Sequence, residues 1–468
     1  MTLYLISWVY LAVPSAIFFL GWIRPEISIP LLGILLFSTY RIIKIYWAPV
    51  TKVNILGFLS RKDVVLICLF SMIITAASGA GYILPQNTDW LKHNAVLYDL
   101  VKFPWPFGYT YPHIGETVSL SYYLAWYIVP ALFGKIFGLG GALIVQYVWT
   151  AIGISLVMVH VSCLFDTKRS LYAIIAFIIT PVSTLLFVQQ YINFVNLAFF
   201  SNLSSLSLTP GPWIATTLIS VILIRMIGGQ SSIILALAWA TLGIFWGPIG
   251  LLGLTPSLIL ISYESLKNRK LFTHLKLIVL VCSISFIFAM LFRSNIFNIQ
   301  YRQLFLKFVF PATTTQWISY IVHFSANILL SCILLYFSKK YLPPRYYLLG
   351  LLNIAWMTII SFIQYGVFND LVTRGSMASV FQIGIFVTIL LIKAKKYRFI
   401  LAVFTAFMLF QNIQGAYQSV LSNKPTPFQH LTEFESSDVL TQQYLSYTSS
   451  FFSRKLAKPI VYIYRTQR

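Results

Sequence analysis

The chain has 468 residues, 58% of them hydrophobic and only 9% charged, with a mean hydropathy of +0.81. That composition excludes a soluble globular enzyme and a disordered chain, and it describes a polytopic protein dissolved in lipid. The formal net charge of +22 would suggest nucleic acid as a partner in a soluble protein, but the basic residues cluster between apolar runs, where the positive-inside rule and anionic headgroups account for them.

The first apolar run, Leu3 to Trp22, has no basic stretch before it and no small-residue cleavage site after it, so it is expected to be a retained helix. Crossing a bilayer core of about 30 Å takes roughly 20 apolar residues. Runs of that kind lie at 3–23, 28–47, 63–85, 139–163, 171–188, 213–228, 231–245, 248–263, 275–292, 317–337, 346–364, 378–393 and 398–414. The expected fold is therefore all-α, with about 13 transmembrane helices. The four cysteines, Cys68, Cys163, Cys282 and Cys332, all fall inside these runs with no metal-ligand spacing. No internal repeat and no Gly-x-x-x-x-Gly-Lys phosphate loop occurs.

Orientation follows from the basic loops. Arg61 and Lys62, Lys168 and Arg169, Lys267 to Lys270, Lys339 to Arg345, and Lys393 to Arg398 fall on one side of such a layout and should be cytoplasmic. The stretch 119–137 looks apolar enough to cross, yet counting it would move Lys168 and Arg169 outside. It is therefore expected not to cross. Its tyrosines, Trp126, Pro130 and Lys135 suit an interfacial helix on the outer surface. Outer segments then remain at 86–138, 189–212, 293–316 and 415–468, the last a short polar tail.

Chemistry should lie in those segments. Of the eleven acids, Asp63, Asp166 and Glu264 sit in basic inner loops, where solvated partners of lysine are expected. The segment Gln86 to Tyr111 gathers acid, base, amide and aromatic groups directly after an apolar run. Asn87-Thr88 reads as a helix cap and Pro104 and Pro106 as a stop, predicting a short surface helix over 88–102. At about 100° per residue, Asp89, Lys92, His93 and Asp99 fall within roughly one third of its circumference. A carboxylate and an imidazole one turn apart suit a base with its orienting partner, or two metal ligands; a cap with surface charges is the plainer alternative. His113 and Glu116, three residues apart, are further groups with which Asp89 could share a divalent metal ion. The segment 189–212 offers neutral hydrogen-bonding groups, either for sugar hydroxyls or as an ordinary connection.

Two stretches resemble a known family. Asp89-x-x-Lys92-His93-Asn94, then Trp105-Pro106, then Tyr122-Tyr123-x-x-x-Tyr127-x-x-Pro130-Ala131 with Gly134-Lys135, is similar to bacterial members of the GT-C superfamily of polyprenyl-phosphate-sugar-dependent glycosyltransferases. So is Tyr365 to Ser376, with its Asn369-Asp370-x-x-x-Arg374-x-Ser376 pattern. In layout the resemblance covers about residues 63–415, and two extra spans precede the acidic loop, which the family usually places after its first span.

The resemblance implies a GT-C-like module at 63–414 with periplasmic interfacial helices after the third span, two added N-terminal helices at 1–62, and a periplasmic tail at 415–468. It implies that Asp89 is the general base, assisted by His93. A sugar on undecaprenyl phosphate would be the donor, and a lipid-linked glycan or cell-envelope polysaccharide the acceptor, on the outer face of a bacterial inner membrane. Charge building on the departing phosphate calls for cations, and Lys92, Arg293, Arg302, Lys307 and Arg374 are the candidates. Asp370, one turn before Arg374, would hold a phosphate clamp or form a local ion pair. Asn94, Asp99 and Glu116 complete the expected substrate-binding set. A polysaccharide polymerase or ligase, and a lipid-linked sugar transporter or flippase, are the alternatives.

Overall fold

A computed structural model describes residues 2–47, 59–87, 89–106, 109–110, 117–120, 122–165, 169–179, 199–227, 232–297, 306–311, 313–365, 369–394, 406 and 445–447. The protein is about 82% helical, which agrees with an all-α membrane class. Its helices are α1 (Thr2–Trp22), α2 (Pro25–Trp47), α3 (Arg61–Ser78), α4 (Trp90–Lys102), α5 (Ala125–Ser162), α6 (Arg169–Ile178), α7 (Asn202–Leu208) and α8 (Pro210–Ile227). They continue with α9 (Ile233–Gly243), α10 (Pro248–Leu252), α11 (Thr255–Lys267), α12 (Ile278–Phe297), α13 (Thr314–Ser338), α14 (Pro344–Ser361), α15 (Asp370–Gly375) and α16 (Met377–Lys393). Two small sheets lie between helix ends. Strand β2 (Thr117–Leu120) pairs antiparallel with both β1 (Tyr109–Thr110) and β5 (Leu445–Tyr447), and β3 (Leu306–Phe308) pairs with β4 (Ile363–Tyr365).

Among the described residues six helices, not thirteen, are long and apolar enough to cross a membrane: Leu3–Trp22, Pro25–Tyr46, Ala125–Ser162, Pro210–Ile227, Thr314–Ser338 and Asp370–Lys393. The difference has local causes. The run expected at 63–85 stops as a helix at Ser78, because Gly79 takes a left-handed conformation with φ 92°. The run at 231–245 yields only the short α9, and the one at 248–263 is broken after Leu252. The run at 398–414 lies outside the described residues apart from Ala406, and so do 180–188 of the run at 171–188.

The stretch expected to lie along the surface is also revised. Ala125 to Phe137 is helical, but its first seven residues are enclosed by protein. It runs into the next helix through Gly138, whose φ of 74° and ψ of −175° break the helical geometry. The whole 38-residue α5 would be about 57 Å long as a straight rod, nearly twice the bilayer core. Lys135 has a specific place. Its Nζ lies 2.7 Å from the Phe103 carbonyl and 4.9 Å from the Trp105 ring centroid, so it covers the carbonyl end of α4.

Two of the inner-loop acids, Asp63 and Glu264, have partners far from the neighbouring lysines in sequence, and Asp166 lies outside the described residues. Asp63 caps α3 in a reciprocal box with Ser60, and it also accepts from the Ser170 hydroxyl, stapling α3 to α6. Glu264 pairs with Arg345 at 3.0 Å. These contacts, with the Arg345 bond to the Ile227 carbonyl at 3.1 Å, gather the expected inner loops at one end. The Ala125 amide donates to the Phe245 carbonyl at 3.4 Å, gathering expected outer residues at the other end.

Helix α1 is part of the core and not an appendage to residues 63–414. Tyr10 stacks on Trp149 and Trp246, and the Trp246 indole donates to the Leu11 carbonyl at 3.1 Å. Deeper in the bundle, Gln382 donates to Ser257 at 2.9 Å and accepts from Asn353 at 2.8 Å, while Ser379 donates to Asn353 at 3.1 Å. All four side chains are buried. Paired with one another, they tie α11, α14 and α16 together without leaving amides bare in an apolar interior.

Candidate functional site

Helix α4 starts where the sequence places it, with Asp89 at the position before Trp90 and Phe103 after its end. Its environment is different from a surface helix. Trp90, His93, Ala95, Val96, Leu97, Asp99 and Leu100 are all buried, so protein covers more than half of the circumference of α4, and Asp89 and Lys92 are half-buried at its first turn. Trp90 packs against Gly79, where a Cβ would stand 2.9 Å from the indole. The glycine that ends α3 therefore also makes room for α4.

His93 is an internal tie. Its Nε2 lies 2.9 Å from the Leu208 carbonyl oxygen, which can only accept, so Nε2 carries the proton. Nδ1 then accepts from the Tyr127 hydroxyl. Both ring nitrogens are engaged and the ring sits among Trp90, Trp126 and Tyr127. The catalytic part read for His93 is corrected accordingly: it holds α4 against α5 and α7, and it has no nitrogen left for a substrate or a metal.

Burial, and after it the Lys92 ammonium, push the His93 imidazole well below its ordinary value, so it is neutral in the fold. Because the folded chain resists the proton and the unfolded chain takes it near pH 6.5, this term costs nothing above about pH 6.5 and lowers stability as pH falls below it. The slope is roughly 1.4 kcal/mol per pH unit. Thermal melts of detergent-purified protein between pH 7.5 and 5.5 should show this loss, and His93→Gln should remove one proton from the slope. An unchanged slope would contradict the buried neutral assignment.

Asn94 is likewise structural. Its amide donates to Gln86 at 2.7 Å, and Gln86 donates to the Gly79 carbonyl at 2.8 Å, fixing the link between α3 and α4. Asn87 Oδ1 accepts from the Asp89 amide at 3.1 Å, an Asx turn at the helix entry. The Asp89 side chain makes no capping bond to α4. Asp99 is buried on the inward side and does not share an exposed face with Asp89.

The two stretches singled out by sequence meet through an aromatic pair. Tyr122 and Tyr123 lie with ring centroids 3.8 Å apart and the rings tilted by 31°, and the Tyr122 hydroxyl donates to that of Tyr123. Lys92 Nζ lies 5.9 Å from the Tyr122 ring centroid, and Arg374 Cζ lies 5.5 Å from that of Tyr123. Each ring of the pair thus carries one cation, and the cations come from α4 and α15.

Arg374 Nε is paired with Asp370 Oδ1 at 3.3 Å. Both side chains stay partly accessible, at 13% and 27%, so the pair is neither sealed in the core nor fully solvated. Asn369 enters α15 with φ 51°, a left-handed turn that asparagine tolerates, and its Oδ1 accepts from the Tyr365 amide at 3.2 Å. Burial, and next the Asp370 carboxylate, raise the Tyr365 hydroxyl above its ordinary value, while Arg374 acts in the opposite direction. Tyr365, Asp370 and Arg374 therefore form one electrostatic unit, with the Tyr122–Tyr123 pair against it.

Sequence reading included the tyrosines only as part of a pattern. A run of aromatic residues before Pro130 was the available signal, but the cation that meets Tyr123 comes from α15, far along the chain. Arg293 falls in α12 and Lys307 in β3, with side chains outside the described residues; Arg302, His113 and Glu116 lie wholly outside them, as do 189–198 and most of the tail. Among the described residues no three His, Cys, Asp or Glu side chains gather to hold a metal ion. No family model, no curated protein and no solved structure matches this chain.

Proposed function

We propose that this protein is a glycosyltransferase that moves a sugar from a polyprenyl phosphate to a lipid-linked or cell-envelope glycan, on the outer face of a bacterial inner membrane. The observation that carries the reading is the convergence of Lys92 and Arg374 on the Tyr122–Tyr123 pair, close to Asp89 at the start of α4. Two cations held on aromatic faces beside a carboxylate suit a substrate that carries a phosphate and must lose it.

In the proposed step an acceptor hydroxyl attacks the anomeric carbon and its proton passes to Asp89. The bond from that carbon to the phosphate oxygen breaks, and the electron pair leaves with the polyprenyl phosphate, giving inversion. Lys92 and Arg374 meet the charge that develops on the leaving phosphate. Asp370 holds the guanidinium, and His93 fixes the helix that bears both Asp89 and Lys92.

The test is transfer by purified protein in lipid nanodiscs from a radiolabelled polyprenyl phosphate sugar. Asp89→Asn is expected to lower kcat by roughly 10²- to 10⁴-fold, the usual span for losing a general base, with the melting temperature unchanged. Full activity in that variant would remove Asp89 from the mechanism. Absence of released polyprenyl phosphate from the native protein would remove the transferase reading itself and favour transport.

A further inference from the structure

We propose that the β3–β4 ribbon and the first turns of α13 form a docking lip for the isoprenoid chain of the phosphate-bearing substrate. The inference rests on the transferase reading above, and it adds to it the surface that receives the lipid tail.

The ribbon is short and firmly held. Its register pairs Leu306 with Tyr365 and Phe308 with Ile363. The Val309 amide donates to the Phe362 carbonyl at 2.9 Å, and the Tyr320 hydroxyl lies 3.2 Å from the carbonyl oxygens of Val309 and Ser361. Beneath it, Phe362 stacks against Phe310, Tyr320 and Phe324. A reciprocal cap between Thr313 and Gln316 sets where α13 begins, level with the ribbon.

On this rigid base the outward side chains are apolar. Phe308 is 74% exposed, Phe310 69% and Trp317 54%. Three large exposed aromatics on one small lip would be costly facing water, and an apolar stripe adjoins them. Trp317 and Ile321 open an exposed apolar stripe that continues through Leu329, Ile333 and Phe337 along α13, one of the helices suited to cross a membrane. The lip therefore stands where that stripe ends, at the boundary level that Trp prefers.

The other end of the ribbon leads to the cations. Tyr365, two residues and so about 7 Å along the strand from Ile363, belongs to the unit of Asp370 and Arg374. A ligand with its phosphate on Arg374 would thus have its first isoprene units beside the ribbon and the rest in the bilayer. A free phosphate has no use for such a lip, whereas a phosphate on a long apolar chain does.

The test measures binding of undecaprenyl phosphate and of the short, water-soluble geranyl phosphate to the full-length protein in nanodiscs. Phe308→Ser/Trp317→Ser should weaken the long-chain ligand about tenfold and leave the short one unchanged, and Phe308→Leu/Trp317→Leu should restore the long-chain affinity. An unchanged ratio of long- to short-chain affinity in the serine variant would overturn the lip while leaving the phosphate site standing. Arg374→Ala should weaken both ligands equally. Failure of the native protein to bind either one would overturn the transferase reading, and the lip with it.

Discussion

Arg374→Ala is expected to lower sugar transfer by about two to three orders of magnitude, the effect of removing one preorganised group from a developing oxyanion, while shifting the melting temperature by no more than a few degrees. The argument depends on comparing two roles. As a purely structural partner of Asp370 four residues earlier, Arg374 would contribute about 0.3–0.5 kcal/mol, too little to disturb a fold of this size. The 3.3 Å contact from Nε to Asp370 has a second consequence, since it orients the plane of the guanidinium over Tyr123. Lysine at the same position keeps the charge but not the plane, so Arg374→Lys should recover only part of the rate. Asp370→Asn should give an intermediate loss, because the guanidinium remains but is less firmly aimed. A variant of Arg374 that transfers sugar normally and melts early would assign the residue to the fold alone.

How much of this was legible in the sequence varies with the range of the interaction. Local rules worked for α4: the cap region at Asn87 and the stop before Pro104 place a helix over 90–102 where 88–102 was expected. They did not give its burial. Periodicity assigns residues to faces, but α4 buries Ala95, Val96 and Asp99 as well as the face of Trp90, His93, Leu97 and Leu100, and which neighbours cover each face is decided by elements far away in the chain. The count of candidate spans among the described residues falls below the expected one for a related reason. Hydropathy treats every apolar run alike, whereas α9 is a short apolar helix packed inside the bundle, α10 is a single short turn of helix, and α3 is cut off by a glycine conformation.

The charges were misread where their partners were local in space but not in sequence. Lys135 fits an interfacial charge by sequence, but its partner is the Phe103 carbonyl 2.7 Å away. Asp63 looked like a partner of the lysine beside it, but its bonds go to Ser60 and Ser170. The meeting of Lys92, Tyr122, Tyr123 and Arg374 belongs to the same class, because no spacing rule links residues on α4 and α15.

Gly384→Ala is expected to destabilise the protein by about 1–2 kcal/mol, and Gly384→Leu to prevent recovery of folded protein, whereas Gly33→Ala should stabilise by about 0.5–1 kcal/mol. Helix propensity alone predicts the same gain of about 1 kcal/mol for alanine at either site. Their surroundings separate them. A Cβ at Gly33 meets nothing within 4 Å, whereas one at Gly384 would stand 2.4 Å from the Ile179 carbonyl oxygen and 3.1 Å from that of Ala176. A side chain could rotate away, but these are backbone atoms at the end of α6 and just beyond it. That end is pinned, since Asn202 donates to the Phe177 carbonyl at 2.8 Å, and the start of α6 is fixed by the bond from Ser170 to Asp63. Relief must therefore come from displacing α16, at the roughly 1–3 kcal/mol typical of overpacking, which exceeds the propensity gain. Because α16 follows Arg374 after only Gly375 and Ser376, the same displacement should also reach the guanidinium. Melting curves of the two alanine variants, read with their transfer rates, test both parts. Gly33→Ala should transfer normally and Gly384→Ala should transfer slowly even at temperatures where it is fully folded, because a cation misplaced by about 1 Å is enough to cost a large factor in rate.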